Sequence, residues 1–369
     1  MAQIATIRRA AARIIDIRPW VGEKCSIMQK QPDSMDRPQG TLAGACAWLI
    51  TDGRAGMEVQ CRGVADALGL AYVEKVVAPT GIWKLMAPWG PVPPQDRPGV
   101  AGGQLSPPWP DIAIASGRLA IPYIRTVGRA SKGKTFTVVL QDPRSGPGTA
   151  DLIWVPEHDR RRGGNVITTL TSPHSHSPDR IAARRGRLPP EITALPGPRV
   201  AVVLGGKNGI YKFTAEDDAR FQAALTAIGQ LGASFMVTVS RRTHDELRIA
   251  ADTATKPFPR IFWNGEGPNP YADFLAAADW LVVTADSVNM TGEACATGRP
   301  VYVFQPSGGS VKFRRFHEMM RAHGATRDLP SALSSLESWS YAPIHSSDVI
   351  AAEVERRYAI YRKVARPVG

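Results

Sequence analysis

The chain has 369 residues, enough for two domains of ordinary size, and 43% of them are hydrophobic. Its formal net charge of +12 suits either a basic surface that keeps the protein soluble or an acidic partner, such as a phosphorylated substrate or anionic lipid. No apolar run approaches the roughly 20 residues of a membrane-spanning helix. We find no motif of interleaved aromatic and basic residues and therefore expect no nucleic-acid partner. The four cysteines are scattered without a CxxC pair, which argues against a zinc site or disulfide framework and for a reducing compartment.

Residues 1–42 differ from the rest of the chain. Four arginines are interleaved with Ala and Ile before residue 19, and the first acidic residue is Asp16. Such a segment suits an amphipathic helix on a membrane surface or an organelle transit peptide. It also suits a disordered extension, or a start codon chosen too early, with Met28 or Met35 as the true start of translation. We favour these last two explanations.

Strand-like apolar runs alternate with helix-like runs from about residue 45 to residue 325, which predicts parallel sheets with helices on both faces. Predicted strands cover residues 46–51, 72–77, 111–115, 135–140, 151–155, 166–169, 200–204, 234–239, 260–263, 279–283 and 301–304. Predicted helices cover residues 55–68, 118–129, 215–231, 242–251 and 271–278, and a loop is predicted over residues 79–110.

The predicted fold class is α/β, with two Rossmann-like domains that face one cleft. Pro, Gly and Arg mark residues 184–198 as a linker between a domain of residues 43–183 and a domain of residues 199–345. Apolar residues recur at helical spacing near the C-terminus. We therefore expect residues 346–369 to contain a helix that packs back on the domains.

The most informative stretch runs from Thr284 to Pro300, between two predicted strands. Asp286, Ser287 and Asn289 lead into a predicted helix whose free backbone N–H groups and positive dipole end form an anion site. Glu293, one turn inside that helix, can accept hydrogen bonds from a sugar diol beside a bound phosphate. This arrangement suits a nucleotide diphosphate held without a metal.

Two further loops of the second half follow predicted strands and carry groups that suit phosphate. Residues 205–207 offer two glycines and a lysine for a phosphate cradle, although a plain turn is the alternative. Residues 240–243 offer the hydroxyls of Ser240 and Thr243 to cap the next helix, and two arginines that neutralise a diphosphate or form a surface pair. Because three strand ends share this character, we predict one nucleotide site, formed by Gly205, Gly206, Lys207, Ser240, Arg241, Arg242, Ser287, Asn289, Met290 and Glu293.

The first predicted strand ends in residues 51–58, a glycine-bearing loop through which a ligand can approach the backbone. Its two carboxylates suit acid–base chemistry, and the alternative is helix capping by Asp52 beside a solvated Arg54. His158 also follows a strand, as a base for neutral pH or an ordinary loop histidine. No metal site is predicted, because His174 and His176 lack a third ligand nearby. The candidate catalytic residues are Asp52, Glu58 and His158, and the candidate substrate-binding residues are Gly53, Arg54 and Gly56.

Five motifs resemble the mitochondrial fission (elongated-mitochondria) family of plants and alphaproteobacteria. They are Trp48-Leu-Ile-Thr-Asp-Gly-Arg-Ala-Gly56, Val155-Pro-Glu-His-Asp159, Leu204-Gly-Gly-Lys207, Ser240-Arg-Arg-Thr243 and Thr284-Ala-Asp-Ser-Val-Asn-Met-Thr-Gly-Glu-Ala294, within a resemblance over roughly residues 45–365. The second half also resembles the nucleotide-sugar domain of GT-B glycosyltransferases, notably the lipid-linked peptidoglycan glucosaminyltransferases. In that domain a glutamate binds the donor ribose, and here Ser287, Glu293, Gly298 and Pro300 fill the corresponding places.

The resemblance implies a metal-independent glycosyltransferase that uses a nucleotide-diphosphate sugar, with a UDP-sugar favoured as donor and no cofactor. The acceptor is expected to be lipid-linked or to lie near an anionic membrane surface. The protein is then expected to be cytoplasmic and peripheral at the inner face of the membrane. Two alternatives stay open: a non-catalytic scaffold of the fission family at a membrane surface, and a nucleotide-sugar 2-epimerase.

Overall fold

The computed structural model describes residue 42, residues 44–330 and residues 333–365. The predicted extension over residues 1–42 lies outside the described residues except for Leu42, which is buried. Across the described ranges, no helix combines the length and the apolarity that crossing a bilayer requires.

Six parallel strands form the N-terminal sheet: β1 (Cys46–Thr51), β2 (Ala71–Val76), β3 (Ile112–Ser116), β4 (Phe136–Leu140), β5 (Leu152–Pro156) and β6 (Val166–Thr169). Their order across the sheet is β2-β1-β3-β4-β5-β6. The helices between them are α1 (Ala55–Ala67), α2 (Gly81–Met86) and α3 (Ile121–Ala130). Strands β1, β3, β4 and β5 are buried along their whole length, as expected for apolar strands of a parallel sheet covered on both faces.

The C-terminal sheet repeats this plan with six parallel strands: β7 (Arg199–Leu204), β8 (Ser234–Val239), β9 (Arg260–Trp263), β10 (Trp280–Thr284), β11 (Val301–Phe304) and β12 (Thr326–Asp328). Their order is β12-β11-β10-β7-β8-β9. Helices α4 (Pro178–Arg185) and α5 (Pro190–Thr193) precede this sheet in the chain. The others are α6 (Ala215–Gln230), α7 (Asp245–Thr255), α8 (Tyr271–Ala277), α9 (Val288–Cys295), α10 (Val311–Ala322) and α11 (Ser346–Ala365).

These two parallel sheets confirm the α/β fold class, and most predicted elements agree with the observed ones to within two residues. Four predictions differ. The helix predicted from Arg118 begins with a 3-10 turn, and its α-helical part begins at Ile121. The predicted loop over residues 79–110 contains α2, and the predicted linker over residues 184–198 contains α5, which begins with a proline where helices accept one. The helix predicted from Arg242 begins at Asp245, because residues 240–243 form a turn. The division into two domains stays a prediction.

The cysteines also depart from the expected pattern. Cys61 and Cys295 are free and buried. Cys46, in contrast, is disulfide-bonded, which the scattered cysteine pattern did not predict.

Helix α11 packs on the N-terminal sheet, although it follows the C-terminal sheet in the chain. Ile350, Val354 and Tyr358 recur at helical spacing and join the buried core of the N-terminal sheet. At the start of the helix, Ser346 Oγ lies 2.7 Å from Thr171 Oγ1. The last residues of the described chain therefore complete the core of its first sheet.

Residues 171–176 pass between α1 and α9, where each helix carries a glycine. A Cβ on Gly63 would lie 2.6 to 2.7 Å from three backbone atoms of His174. A Cβ on Gly292 would lie 3.1 Å from Thr171 Cβ. Both helices approach the segment so closely that the α1 position admits no side chain and the α9 position has little room for one.

A cleft of about 1760 Å³ lies between the two sheets. Its walls include residues that directly follow β1, β3, β4, β8 and β10, which places the carboxyl ends of both sheets at the cleft. Ligands of open parallel α/β sheets bind at this edge. The fold therefore directs the search for a site to this cleft.

Candidate functional site

The N-terminus of α9 opens into the cleft, with Ser287, Val288, Asn289 and Met290 on the wall. Ser287 is the N-cap residue, and its Oγ accepts the backbone N–H of Met290 at 3.4 Å. The first N–H groups of a helix have no acceptor within the helix. Those of Val288 and Asn289 therefore have no acceptor within the helix and open into the cleft.

Glu293 lies one turn further along α9, also on the cleft wall, and only 8% of its surface is exposed. The phenol of Tyr271 donates a hydrogen bond of 2.6 Å to Glu293 Oε2. This bond fixes one carboxylate oxygen and leaves Oε1 for a ligand. Burial raises the pKa of Glu293 to about 7, so the carboxyl group titrates close to neutral pH.

The glycines of residues 205–207 do not form the predicted phosphate cradle. The Gly205 N–H donates to Thr284 Oγ1 at 2.8 Å, and the Gly206 N–H donates to Asp286 Oδ2 at 3.0 Å. Residues 205–207 are also absent from the described cleft wall. A Cβ on Gly206 would lie 1.8 Å from the carbonyl oxygen of Arg242, so glycine is needed here for close packing.

The carboxylate of Asp286 accepts hydrogen bonds from several residues at the carboxyl end of the C-terminal sheet. It is fully buried and accepts hydrogen bonds from Thr284 Oγ1 at 2.7 Å and from Arg242 Nη2 at 3.0 Å. Burial raises its pKa, and these hydrogen bonds and the Arg242 charge oppose that rise. Arg242 is thus partly committed to a buried partner. Arg241 is exposed on the cleft wall and has no partner within the described residues.

The predicted capping of the next helix by Ser240 and Thr243 is wrong. The N-cap of α7 is His244, which makes no side-chain cap. Thr243 Oγ1 instead accepts the Ser240 N–H at 2.8 Å and donates to the Gly205 carbonyl at 2.6 Å. The two residues close a turn against β7, and this turn carries Arg241.

On the N-terminal side, Gly53, Arg54 and Gly56 line the cleft, but Asp52 does not. The Asp52 side chain is 1% exposed and packs so closely on Gly117 that a Cβ there would lie 2.7 Å from its Cγ. Neither of its oxygens accepts a hydrogen bond within the described ranges, and Oδ2 lies 3.1 Å from Arg54 Nη2. Asp52 is therefore neither the helix cap considered from the sequence nor a surface group.

The two other candidate bases are placed differently from each other. Glu58 is off the cleft wall and pairs with Arg62 at 3.5 Å. His158 is on the wall, nearly buried, with its ring centroid 5.5 Å from that of Phe316 in α10. Burial and, secondarily, the charge of Lys312 lower the pKa of His158 to about 4. The imidazole is therefore neutral at neutral pH and is a weak base in this state.

The sequence analysis missed two amide side chains on the N-terminal wall of the cleft. Gln141 Nε2 donates to Gln60 Oε1 at 3.1 Å, and Ser116 Oγ donates to the same oxygen at 3.2 Å. Gln141 has a left-handed backbone, with φ of 82°, which is costly for a residue other than glycine and recurs at functional sites. It directly follows β4, so the strand-end rule that found the other loops would also have found this one.

The charge of the cleft favours an anionic ligand. Its wall carries seven basic residues against four acidic ones: Arg54, Arg62, Arg118, Arg144, Arg241, Arg242 and Lys312 against Asp142, Asp159, Asp286 and Glu293. Within the described part of the chain, no three His, Cys, Asp or Glu residues are grouped so that they could hold a metal ion. The site offers positive charge from guanidinium groups and a helix end.

A family model for Mitochondrial fission ELM1 matches residues 55–358. The chain belongs to this family. The mitochondrial fission protein ELM1 of Arabidopsis thaliana is 28% identical over 274 residues, which cover 68% of this chain and 64% of the plant protein. An uncharacterized protein of Rickettsia prowazekii is 30% identical over 156 residues, which cover 41% of this chain and 44% of that protein. The chain thus spans less than two thirds of these curated relatives of the family.

Solved structures with the same general layout include MurG of Acinetobacter baumannii and the UDP-GlcNAc 2-epimerase of Methanocaldococcus jannaschii. The first has a TM-score of 0.43 and 11% identity, over 88% of this chain and 96% of that one. The second has a TM-score of 0.45 and 9% identity, over 84% of this chain and 99% of that one. Resemblances at these scores say nothing about activity. The GT-B-like description rests on two parallel sheets that face one cleft.

Proposed function

We propose that this protein is a metal-independent glycosyltransferase that binds a nucleotide-diphosphate sugar in the cleft. The observation that carries the proposal is the presence of three complementary groups on one wall. They are the open N-terminus of α9, the buried carboxylate of Glu293 and the exposed guanidinium of Arg241. A helix end and a cation suit a diphosphate, and a carboxylate suits a vicinal diol.

The donor is bound with its diphosphate against the N–H groups of Val288 and Asn289 and the side chain of Arg241. The ribose diol donates to Glu293 Oε1. Trp263, also on the wall, has a buried Nε1 without a partner in the described part and can donate to the base. Fixed dipoles and guanidinium groups stabilise the leaving diphosphate as its charge develops, which is the role a metal has in other transferases.

The acceptor enters from the N-terminal side, beside Arg54 and the amides of Gln60 and Gln141. Amides suit the hydroxyl groups of a sugar because they both donate and accept hydrogen bonds. His158 is the candidate base that reaches the cleft wall. Its lowered pKa makes it weak in the free protein, and a bound diphosphate raises that pKa by its negative charge.

Titration calorimetry of the purified protein with UDP and with UDP-N-acetylglucosamine, in EDTA and in magnesium, tests the proposal. We expect binding without metal, weakened by about tenfold or more in Glu293→Gln, because a hydrogen bond to a charged group is lost. Glu318→Gln, an exposed change on α10, is the matched control and should bind as the wild type does. Absence of binding to the whole panel, or equal binding by folded Glu293→Gln, would contradict the donor site.

A non-catalytic member of the family is the second candidate function. It is favoured by the positions of Asp52 and Glu58 off the cleft wall and by the low pKa of His158. Such a protein binds the nucleotide sugar but does not cleave it. Incubation with UDP-N-acetylglucosamine and lipid-linked glycan acceptors, followed by product analysis, separates the cases. Release of UDP with the sugar transferred to the acceptor or to water supports a transferase, conversion of the UDP-sugar without UDP release supports an epimerase, and binding without either product supports the non-catalytic protein.

A further inference from the structure

Helix α2 consists mainly of apolar residues, yet its side chains are exposed to solvent or only partly buried. Its sequence is Gly-Ile-Trp-Lys-Leu-Met, and none of these residues is buried. Ile82 is 61% exposed and Leu85 78%, and Trp89 in the turn that follows is 65% exposed. Ile82 and Leu85 are three residues apart and so lie on one face of the helix. Adjacent exposed side chains of this size mark an interaction surface.

The fold holds this segment firmly. Arg118 Nη2 donates to the Lys84 carbonyl at 3.0 Å, and Arg125 Nη2 donates to the Trp89 carbonyl at 2.7 Å. Trp89 Nε1 in turn donates to the Arg144 carbonyl at 3.0 Å. The backbone is thus anchored to the N-terminal half while the apolar side chains face outward.

The charges in contact with these side chains are basic, and Asp142, which lies beside Arg144, is paired with Arg161 at 2.7 Å. Residues 77–95 contain no acidic residue, and their one charged residue is Lys84, which is exposed. Arg118 and Arg144, which contact the segment, are exposed as well. Exposed aliphatic and indole groups within a basic rim match the interface of an anionic bilayer, where apolar groups enter the acyl boundary and cations contact headgroups.

We propose that α2 and Trp89 form a membrane-docking surface. Ile82, Leu85 and Trp89 enter the interface of an anionic bilayer, and Lys84 and Arg144 contact the lipid headgroups. Arg118 adds positive charge beside them while it holds the α2 backbone. Arg118 and Arg144 also line the cleft, so docking brings the mouth of the cleft to the membrane. Docking does not depend on the transferase activity proposed above, and each can fail without the other.

Cosedimentation of the full chain with vesicles tests this surface, using phosphatidylglycerol mixed with phosphatidylcholine, and phosphatidylcholine alone. We expect binding to the anionic vesicles that weakens with added salt. Leu85→Asp should lower the partition coefficient about tenfold or more, because an apolar anchor becomes an anion. The control is Ile249→Asp, which changes a side chain 55% exposed on α7 and should leave binding unchanged.

Equal binding of Leu85→Asp and the wild type to anionic vesicles would overturn the proposal. A wild type that ignores vesicles but dimerises in sedimentation velocity, with the dimer lost in Leu85→Asp, would assign the surface to a second copy instead. UDP titration of the same variants reports on the cleft separately. An unchanged circular dichroism spectrum and thermal unfolding midpoint of Leu85→Asp would show that a loss of vesicle binding comes from the surface and not from unfolding.

Discussion

The phenol of Tyr271 donates a hydrogen bond of 2.6 Å to the carboxylate of Glu293. Tyr271 opens α8 and Glu293 lies inside α9, so two helices of the C-terminal sheet fix one carboxylate at the cleft. Burial raises the pKa of Glu293 to about 7. Any function that uses this carboxylate as an acceptor is therefore sensitive to pH near neutrality.

Nucleotide-sugar affinity is expected to fall as the pH is lowered from about 8 to about 6, because Glu293 becomes protonated and no longer accepts as an anion. In Glu293→Gln the affinity should be lower and independent of pH over this range. Calorimetric titration with a UDP-sugar measures the affinity of the wild type and of the variant at each pH. The diphosphate diester of the UDP-sugar does not itself titrate in this pH range. The same pH dependence in both proteins would assign the effect to another group.

The pH dependence of stability should change in the same variant. The pKa of Glu293 is about 7 in the folded protein against 4.5 for an ordinary glutamate, so the folded state binds more protons between these values. Its contribution to the free energy of unfolding therefore falls as the pH rises through this window. The wild type should lose on the order of 3 kcal/mol relative to Glu293→Gln between about pH 5 and pH 8. Urea unfolding at both pH values measures this, and a constant difference would contradict it.

Gly206→Ala is expected to destabilise the C-terminal sheet. Its Cβ would lie 1.8 Å from the Arg242 carbonyl oxygen, so the backbone must move, at a cost of about 1–3 kcal/mol or more. Gly209→Ala, three residues later, meets nothing within 4 Å and should change the free energy of unfolding by less than about 1 kcal/mol. Urea unfolding measures the free energy of unfolding of both variants. Equal values would show that the turn at residue 206 accommodates a Cβ without cost.

Gly63→Ala and Gly128→Ala form a second pair, since both replace a glycine inside a helix. Alanine favours the helix by roughly 1 kcal/mol where space allows. At Gly128 the new Cβ meets Thr137 Cγ2 at an ordinary 3.5 Å, so stability should rise. At Gly63 it meets the His174 backbone at 2.6 to 2.7 Å, so stability should fall. Thermal unfolding gives the sign of each change, and stabilisation by Gly63→Ala would refute the close approach of residues 171–176.

The strands were predictable because each is an apolar run between turn residues, and the buried strands of a parallel sheet leave that pattern in the sequence. The α9 site was predictable for the same local reason. Ser287 and Glu293 lie within two turns of one helix that directly follows β10. Local spacing therefore predicted the Ser-capped helix start and the carboxylate together.

The sequence did not reveal contacts between residues that lie far apart in the chain. The glycines at 205 and 206 look like a phosphate loop, but their N–H groups serve Thr284 and Asp286, some 80 residues away. Nothing near Tyr271 in the chain indicates that it holds Glu293. Helix α2 was missed because proline and tryptophan surround it and because it has no buried face to impose a helical pattern.

The packing of α11 has a consequence for synthesis of the chain. Ile350, Val354 and Tyr358 complete the core of the N-terminal sheet, yet they leave the ribosome after the whole C-terminal sheet. Domains generally fold as units while the chain emerges. Here the first sheet keeps an uncovered apolar face until the C-terminal sheet and α11 have been synthesised. A nascent chain that stalls before Ser346 therefore exposes that apolar face to solvent, even though all twelve described strands have been made.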